Sequence, residues 1–113
     1  MPYLHFKTTL TLSEEEKKRL ALSIMECVKL LPGKPAQRAM IHIDDACEIF
    51  RDGEFAECAF METQFQRPIE MNDQKNYIEA LYSLFQKQLG LSIPQVYMSM
   101  IDLDTWGSRG TLH

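Results

Sequence analysis

Apolar and polar residues alternate over residues 2–8, with Leu4 and Phe6 on one side and Tyr3, His5 and Lys7 on the other. That two-residue period predicts a half-buried strand. Beyond Leu12 the period lengthens to that of a helix. Ser13 is followed three residues later by Glu16, the spacing of a capping box, and Glu14, Glu15 and Glu16 fill a first turn whose dipole favours acids. Lys18 and Arg19 lie four positions after Glu14 and Glu15, the favourable order for pairs on one helix face. Leu20, Ile24, Cys27, Val28 and Leu31 form one apolar stripe, and Pro32-Gly33 ends the helix through a missing donor and a permissive glycine.

Alternation returns at Ala39, Ile41 and Ile43 against Met40, His42 and Asp44, which predicts a second strand. Residues 46–50 read as a short edge strand closed by the turn signal Arg51-Asp52-Gly53-Glu54, and residues 55–65 as the next strand. Arg67-Pro68 stops that strand, because proline cannot donate to a central ladder. A second helix starts near Asn72, buries Tyr77, Ile78, Leu81, Leu84, Phe85 and Leu89, and ends at Gly90. After Pro94 comes a last strand, Val96 to Leu103, and then a tail, residues 104–113, that holds Trp106.

The two halves echo each other. Gly33 and Gly90 lie 57 residues apart, and Met40-Ile41-His42-Ile43-Asp44 aligns with Met98-Ser99-Met100-Ile101-Asp102 at an offset of 58. This is the signature of a duplicated βαβ unit. Right-handed crossovers would put both helices on one face of a shared four-stranded sheet, an α+β domain spanning residues 1–113. The uncovered sheet face and open edges then predict an oligomer.

Composition narrows the class. With 45% hydrophobic and 25% charged residues, the 113-residue chain has ordinary globular content. A net charge of −4 supplies no basic footprint for nucleic acid. No apolar stretch is long enough for a membrane helix, and the polar residues after Lys7 do not suit a signal peptide. Cys27, Cys47 and Cys58 are odd in number with no close pair, which points to a reducing, cytoplasmic setting; unconventional export stays open. His5, His42 and His113 show no short ligand spacing with one another or with the cysteines, so no metal site is expected. Asp44, Asp45, Asp102 and Asp104 read as strand-end acids with turn and solvent roles, and the seven methionines as scattered core filler.

Chemistry concentrates at the N-terminus. Removal of Met1 would turn Pro2 into a free secondary amine at the start of a strand. Desolvation disfavours the charged amine, so a buried Pro2 could act as a base near neutral pH. A proline at position 2 is also simply common.

Taken together, Met1-Pro2-Tyr3-Leu4, Gly33-Lys34-Pro35 with Arg38 following, Glu57-Cys58-Ala59 and Val96-Tyr97 carry a resemblance. In order and spacing they resemble the tautomerase superfamily, nearest the macrophage migration inhibitory factor (phenylpyruvate tautomerase) group, and the tail Trp106-Gly107-Ser108-Arg109-Gly110 is similar to bacterial members. The resemblance implies a homotrimer whose sheets line a central barrel and whose active sites lie between subunits. It also implies a cofactor-free keto–enol tautomerase acting on a small, aromatic α-keto acid such as phenylpyruvate.

Residue by residue, it makes Pro2 the proton carrier and Lys34 the cation for the substrate carboxylate or developing enolate. Lys34 equally suits a solvated position after a helix C-terminus. Tyr97 matches a tyrosine lent by a neighbouring subunit, although it is also an ordinary strand residue. Ser99 stands where the animal cytokine has asparagine, and Phe65-Gln66-Arg67 replaces a serine-isoleucine-glycine stretch that supplies a backbone donor, which makes Gln66 a substrate contact. Arg67 either adds a cation at the pocket mouth or faces water. Trp106 either stacks on an aromatic substrate or covers a neighbouring subunit. Cys58-Ala59-Phe60-Met61 lacks the second thiol of a redox motif. The alternative reading is a non-catalytic trimeric binding or signalling protein.

Overall fold

The computed structural model describes residues 2–113, with the backbone alone at Phe55. Met1, whose loss the amine chemistry requires, lies outside the described residues. Strand β1 (Tyr3–Thr8) leads into helix α1 (Glu14–Val28), which returns the chain to strand β2 (Met40–Asp44). Two short strands follow, β3 (Phe50–Arg51) and β4 (Glu54–Phe55), and then the long β5 (Ala59–Gln66). Helix α2 (Met71–Leu89) connects β5 to β6 (Val96–Leu103), and the tail folds into β7 (Gly107–Ser108) and β8 (Thr111–Leu112).

The main sheet runs β2-β1-β5-β6. Each helix joins two parallel neighbours, while β1 and β5 meet antiparallel at the centre. The duplication is therefore a pseudo-twofold axis through the pair His5 and Glu62: Tyr3 opposite Gln64 on one side repeats as Lys7 opposite Phe60 on the other. The register makes Met40 the counterpart of Tyr97 rather than of Met98, one residue off the alignment that the sequence suggests, because the strand pairing and not residue likeness fixes the repeat. The four-stranded sheet with two helices is the expected architecture.

Alternation sorts the strands as read from the sequence. Leu4, Phe6 and Thr8 of β1 and Met61, Thr63 and Phe65 of β5 are buried beneath the helices. Leu20, Ile24 and Val28 of α1 and Tyr77, Leu81 and Phe85 of α2 pack onto them. Phe6 meets Phe85 with ring centroids 4.7 Å apart. Tyr77 brings a hydroxyl into this core, where it bonds Thr63 Oγ1 at 2.8 Å, and burial pushes its ionisation well above the usual phenol range. The opposite face carries Tyr3, His5 and Lys7, and no described element covers it. Among the described residues, no helix is long and apolar enough to cross a membrane.

The helix ends follow local chemistry. The Ser13 hydroxyl accepts the Glu16 N–H at 3.1 Å, and the Glu16 carboxylate accepts the Ser13 N–H at 3.0 Å. This bond holds the Glu16 carboxyl below the usual carboxylate range. Gly90 ends α2 in the left-handed region at φ 68°, so that its N–H and that of Leu91 reach back to Gln86 and Phe85. A side chain at position 90 would meet nothing within 4 Å, so only the backbone conformation resists substitution. Gly90→Ala should therefore lower stability by about 1 kcal/mol, read as an earlier urea midpoint at fixed protein concentration.

Four segments differ from the sequence reading. Helix α1 ends at Val28, with Lys29 as its C-cap, so the chain leaves the helix before the Pro32-Gly33 stop and Leu31 is buried from the turn beyond it. Residues 46–50 form no edge strand in the main sheet; Ala46 turns the chain at φ 52°, and its N–H bonds the Leu10 carbonyl at 2.7 Å. The sheet-like pairing there is the two-residue hairpin of β3 with β4 across Asp52-Gly53, both at positive φ. The long strand starts at Ala59 rather than residue 55, because residues 50–55 are used by that hairpin. The tail is also a hairpin, turning at Arg109-Gly110 with both residues at positive φ, the requirement of the tight turn that matches strand twist.

Candidate active site

A cleft of about 300 Å³ opens at the sheet end where β5 finishes. It is lined by the turn after α1 (Gly33, Lys34, Pro35), by Arg38, by Gln66 and by the tail hairpin through Trp106, Ser108, Arg109 and His113. Local structure accounts for each wall. Gly33 takes φ 72°, and the Lys34 N–H bonds the Leu31 carbonyl at 3.3 Å, which turns the chain toward β2. Arg38 ends a single helical turn, residues 36–38, just before β2. The hairpin is closed by reciprocal backbone bonds between Trp106 and His113, 3.2 and 2.8 Å. Gln66 ties it to the sheet, its amide nitrogen donating to the Asp104 and His113 carbonyls at 3.2 and 3.0 Å.

Pro2 enters the sheet at this same end. It is buried, and its carbonyl accepts the Met40 N–H at 3.1 Å, two residues after Arg38. It directly precedes Tyr3, which lies opposite Gln64, two positions before Gln66. Lys34, Gln66 and Trp106 are thus gathered around one cleft; Pro2 enters the sheet at the same end but is not among the residues that line it.

Tyr97 and Ser99 are elsewhere. Tyr97 sits opposite Phe60 and Ser99 opposite Glu62. Phe60 is four residues from Gln64 along β5, roughly 13 Å of strand at ~3.3 Å per residue. One chain therefore cannot bring Tyr97 to its own Pro2. Tyr97 instead borders a smaller hollow of about 140 Å³ with Phe50, Arg51 and Cys58. Arg51 lies 4.8 Å above its ring, and Tyr97 is 56% exposed.

The charge of the cleft is one-sided. Lys34, Arg38 and Arg109 bring three cations to its walls. Arg67 is not among them, since its guanidinium bonds Asp102 and Asp104 at 3.3 and 3.1 Å and fixes the start of the tail. A small carboxylate is the natural guest of such a wall, and Trp106 offers a flat apolar surface beside it. The sequence reading gives Ser108, Arg109 and His113 no place in the site, although all three line the cleft. Their one signal was Gly110, which permits the turn at Arg109-Gly110.

Solved structures place this fold among known proteins. Leishmania major MIF2 superposes with a TM-score of 0.89 at 18% identity, covering 100% of this chain and 97% of that one. The macrophage migration inhibitory factor-like protein of Entamoeba histolytica gives 0.85 at 17%, covering 99% and 98%. Pt0534, whose structure is of the protein inactivated by 2-oxo-3-pentynoate, gives 0.80 at 19%, covering 89% and 85%. At these identities the likeness is one of fold. No curated protein matches the chain. A family model for macrophage migration inhibitory factor (MIF) matches residues 1–112, nearly the full length, and the chain belongs to that family.

Proposed function

We propose that the protein is a cofactor-free keto–enol tautomerase of small, aromatic α-keto acids, with Pro2 as the proton carrier once Met1 is removed. The observation that carries this reading is the cationic, tryptophan-walled cleft at the sheet end where Pro2 precedes the first strand. Lys34 and the neighbouring arginines hold the substrate carboxylate and the enolate oxygen. The Pro2 nitrogen accepts a proton from the substrate carbon next to the keto group, on the side away from the carboxylate, which leaves an enolate. Protonation of the enolate oxygen then completes the enol, and the reverse sequence returns the proton to carbon. The cleft volume suits a compact ligand at the lower end of ordinary binding sites. The inactivation of Pt0534 by 2-oxo-3-pentynoate, itself an α-keto acid, supports that substrate class.

The assembly we propose is a homotrimer, which would let Tyr97 and Ser99 of one subunit complete the cleft of another. Two features support it. The outer strands β2 and β6 leave open edges, and Met40 and Tyr97, equivalent positions on them, are 69% and 56% exposed. A cytoplasmic setting goes with this reading, since Cys27, Cys47 and Cys58 are all free thiols.

Intact mass and phenylpyruvate enol-to-keto rates, measured on one preparation, test the proposal. The expected result is a mass lacking methionine together with turnover above the buffer rate. A protein without Met1 and without turnover would favour a non-catalytic trimeric binder, a reading to which the tail-bound amide of Gln66 lends some support.

A further inference from the structure

On the uncovered face of the sheet, the parallel pairing of β1 with β2 sets His5 beside His42 and Lys7 beside Asp44. The two imidazoles stack with centroids 4.1 Å apart and planes 3° from parallel. Asp44 closes the group, with Oδ2 2.6 Å from His5 Nε2 and Oδ1 3.3 Å from His42 Nε2. One potential ligand atom from each of the three residues lies within 4.8 Å of the other two. Behind His42, the Tyr3 hydroxyl is 3.1 Å from Nδ1.

We infer that His5, His42 and Asp44 form a binding site for one divalent transition-metal ion of the imidazole-preferring kind, Zn²⁺ foremost, with a further position open to solvent. Two imidazoles and one carboxylate are a ligand set such ions accept, and three protein ligands leave room for a water or a small anion. With Nε2 of His42 on the metal, its Nδ1–H donates to the Tyr3 hydroxyl, the kind of outer contact that fixes the tautomer and orientation of a ligating histidine. All three ligands stand on two hydrogen-bonded strands, so their spacing is set by rigid elements rather than loops. The surrounding charges are otherwise engaged: Lys7 faces Glu62 at 3.7 Å, while Asp45 accepts the Leu12 N–H at 2.8 Å and pairs with Lys17 at 3.1 Å. Asp44 is therefore the carboxylate turned to the histidines. The group shares no lining residue with the Lys34 cleft, so its occupancy is separable from the tautomerase reading.

Chain spacing concealed this cluster. His5 and His42 are far apart in sequence, and only the one-to-one parallel register makes them neighbours.

Calorimetric titration of Zn²⁺ into the chelator-stripped full-length protein tests the inference, with Co²⁺ absorption as an independent readout of ligand type. The expected result is one ion per chain, with His42→Ala and Asp44→Asn each weakening binding by more than about 100-fold, beyond the range for losing an outer partner. His42 and Asp44 side chains are 49% and 45% exposed, so both variants should keep the wild-type circular dichroism spectrum. Absence of Zn²⁺ uptake by the wild type overturns the site. So does uptake that survives either substitution at wild-type affinity.

Discussion

Pro2→Gly is expected to lower phenylpyruvate turnover by about 10²–10⁴-fold, the span a positioned general base commonly supplies. Proline's secondary amine is a stronger and more rigidly placed base than the primary amine that glycine would leave. Its ring also helps to dry the site, and drying is what favours the neutral, proton-accepting form. The fold should tolerate the exchange. The backbone bond from the Met40 N–H to the carbonyl of residue 2 does not involve the proline ring. The measurement is a pair, kcat/KM for enol-to-keto conversion and the elution volume of the oligomer. Unchanged turnover with an unchanged oligomer would remove Pro2 from the mechanism.

Lys34→Met should have the next largest effect, a fall of about 10²–10³-fold in kcat, the cost typical of losing a group preorganised toward developing negative charge. Methionine keeps much of the length and apolar stem of lysine but lacks its charge. The loss should fall mainly on kcat rather than KM, because Arg38 and Arg109 line the same cleft and continue to attract the carboxylate. A rise in KM with kcat intact would instead assign Lys34 to uniform substrate binding. Because Lys34 lies in the turn beyond α1 and is not part of the buried core, the variant should unfold at the wild-type temperature.

Much of the scaffold was legible in the sequence wherever signals were local and repeated. The capping box at Ser13 and Glu16, the stripe Leu20, Ile24 and Val28, and the last strand Val96–Leu103 stand in the structure as read. Each rests on the helix or strand period, which any short window of sequence displays. Segments governed by single residues were harder to read. Ala46 at positive φ breaks what the following turn signal, Arg51-Asp52-Gly53-Glu54, presents as a strand, and alanine itself carries no turn signal. Arg109-Gly110 makes a hairpin of a ten-residue tail whose strands are only two residues each, too short to show a period.

The candidate site divides along the same line. Lys34 was flagged through its place in Gly33-Lys34-Pro35, and Trp106 through its isolation in a polar tail. Arg109 reached the cleft only through the unread hairpin. His5 and His42 were judged by their distance along the chain, which is the wrong measure for two residues in register on adjacent strands. That Tyr97 lies far from Pro2 within one chain is likewise a fact of register, which periodicity does not report.

The pseudo-twofold axis makes the protein a duplicated module with an unduplicated site. Rotation about it carries Gly33 onto Gly90, and both adopt the same left-handed turn, at 72° and 68°. It carries Lys34 onto Leu91, which is 1% exposed and packs into the core. It carries the His42–His5 pair onto Ser99 and Glu62, which hold no imidazole. One repeat carries Lys34 and the two imidazoles, while its twin has packing at Leu91 and an exposed edge at Tyr97. The cleft nevertheless needs both halves, since the first supplies Lys34 and Arg38 and the second supplies Gln66 and the tail hairpin, so neither repeat can drift without disturbing a wall that the other completes.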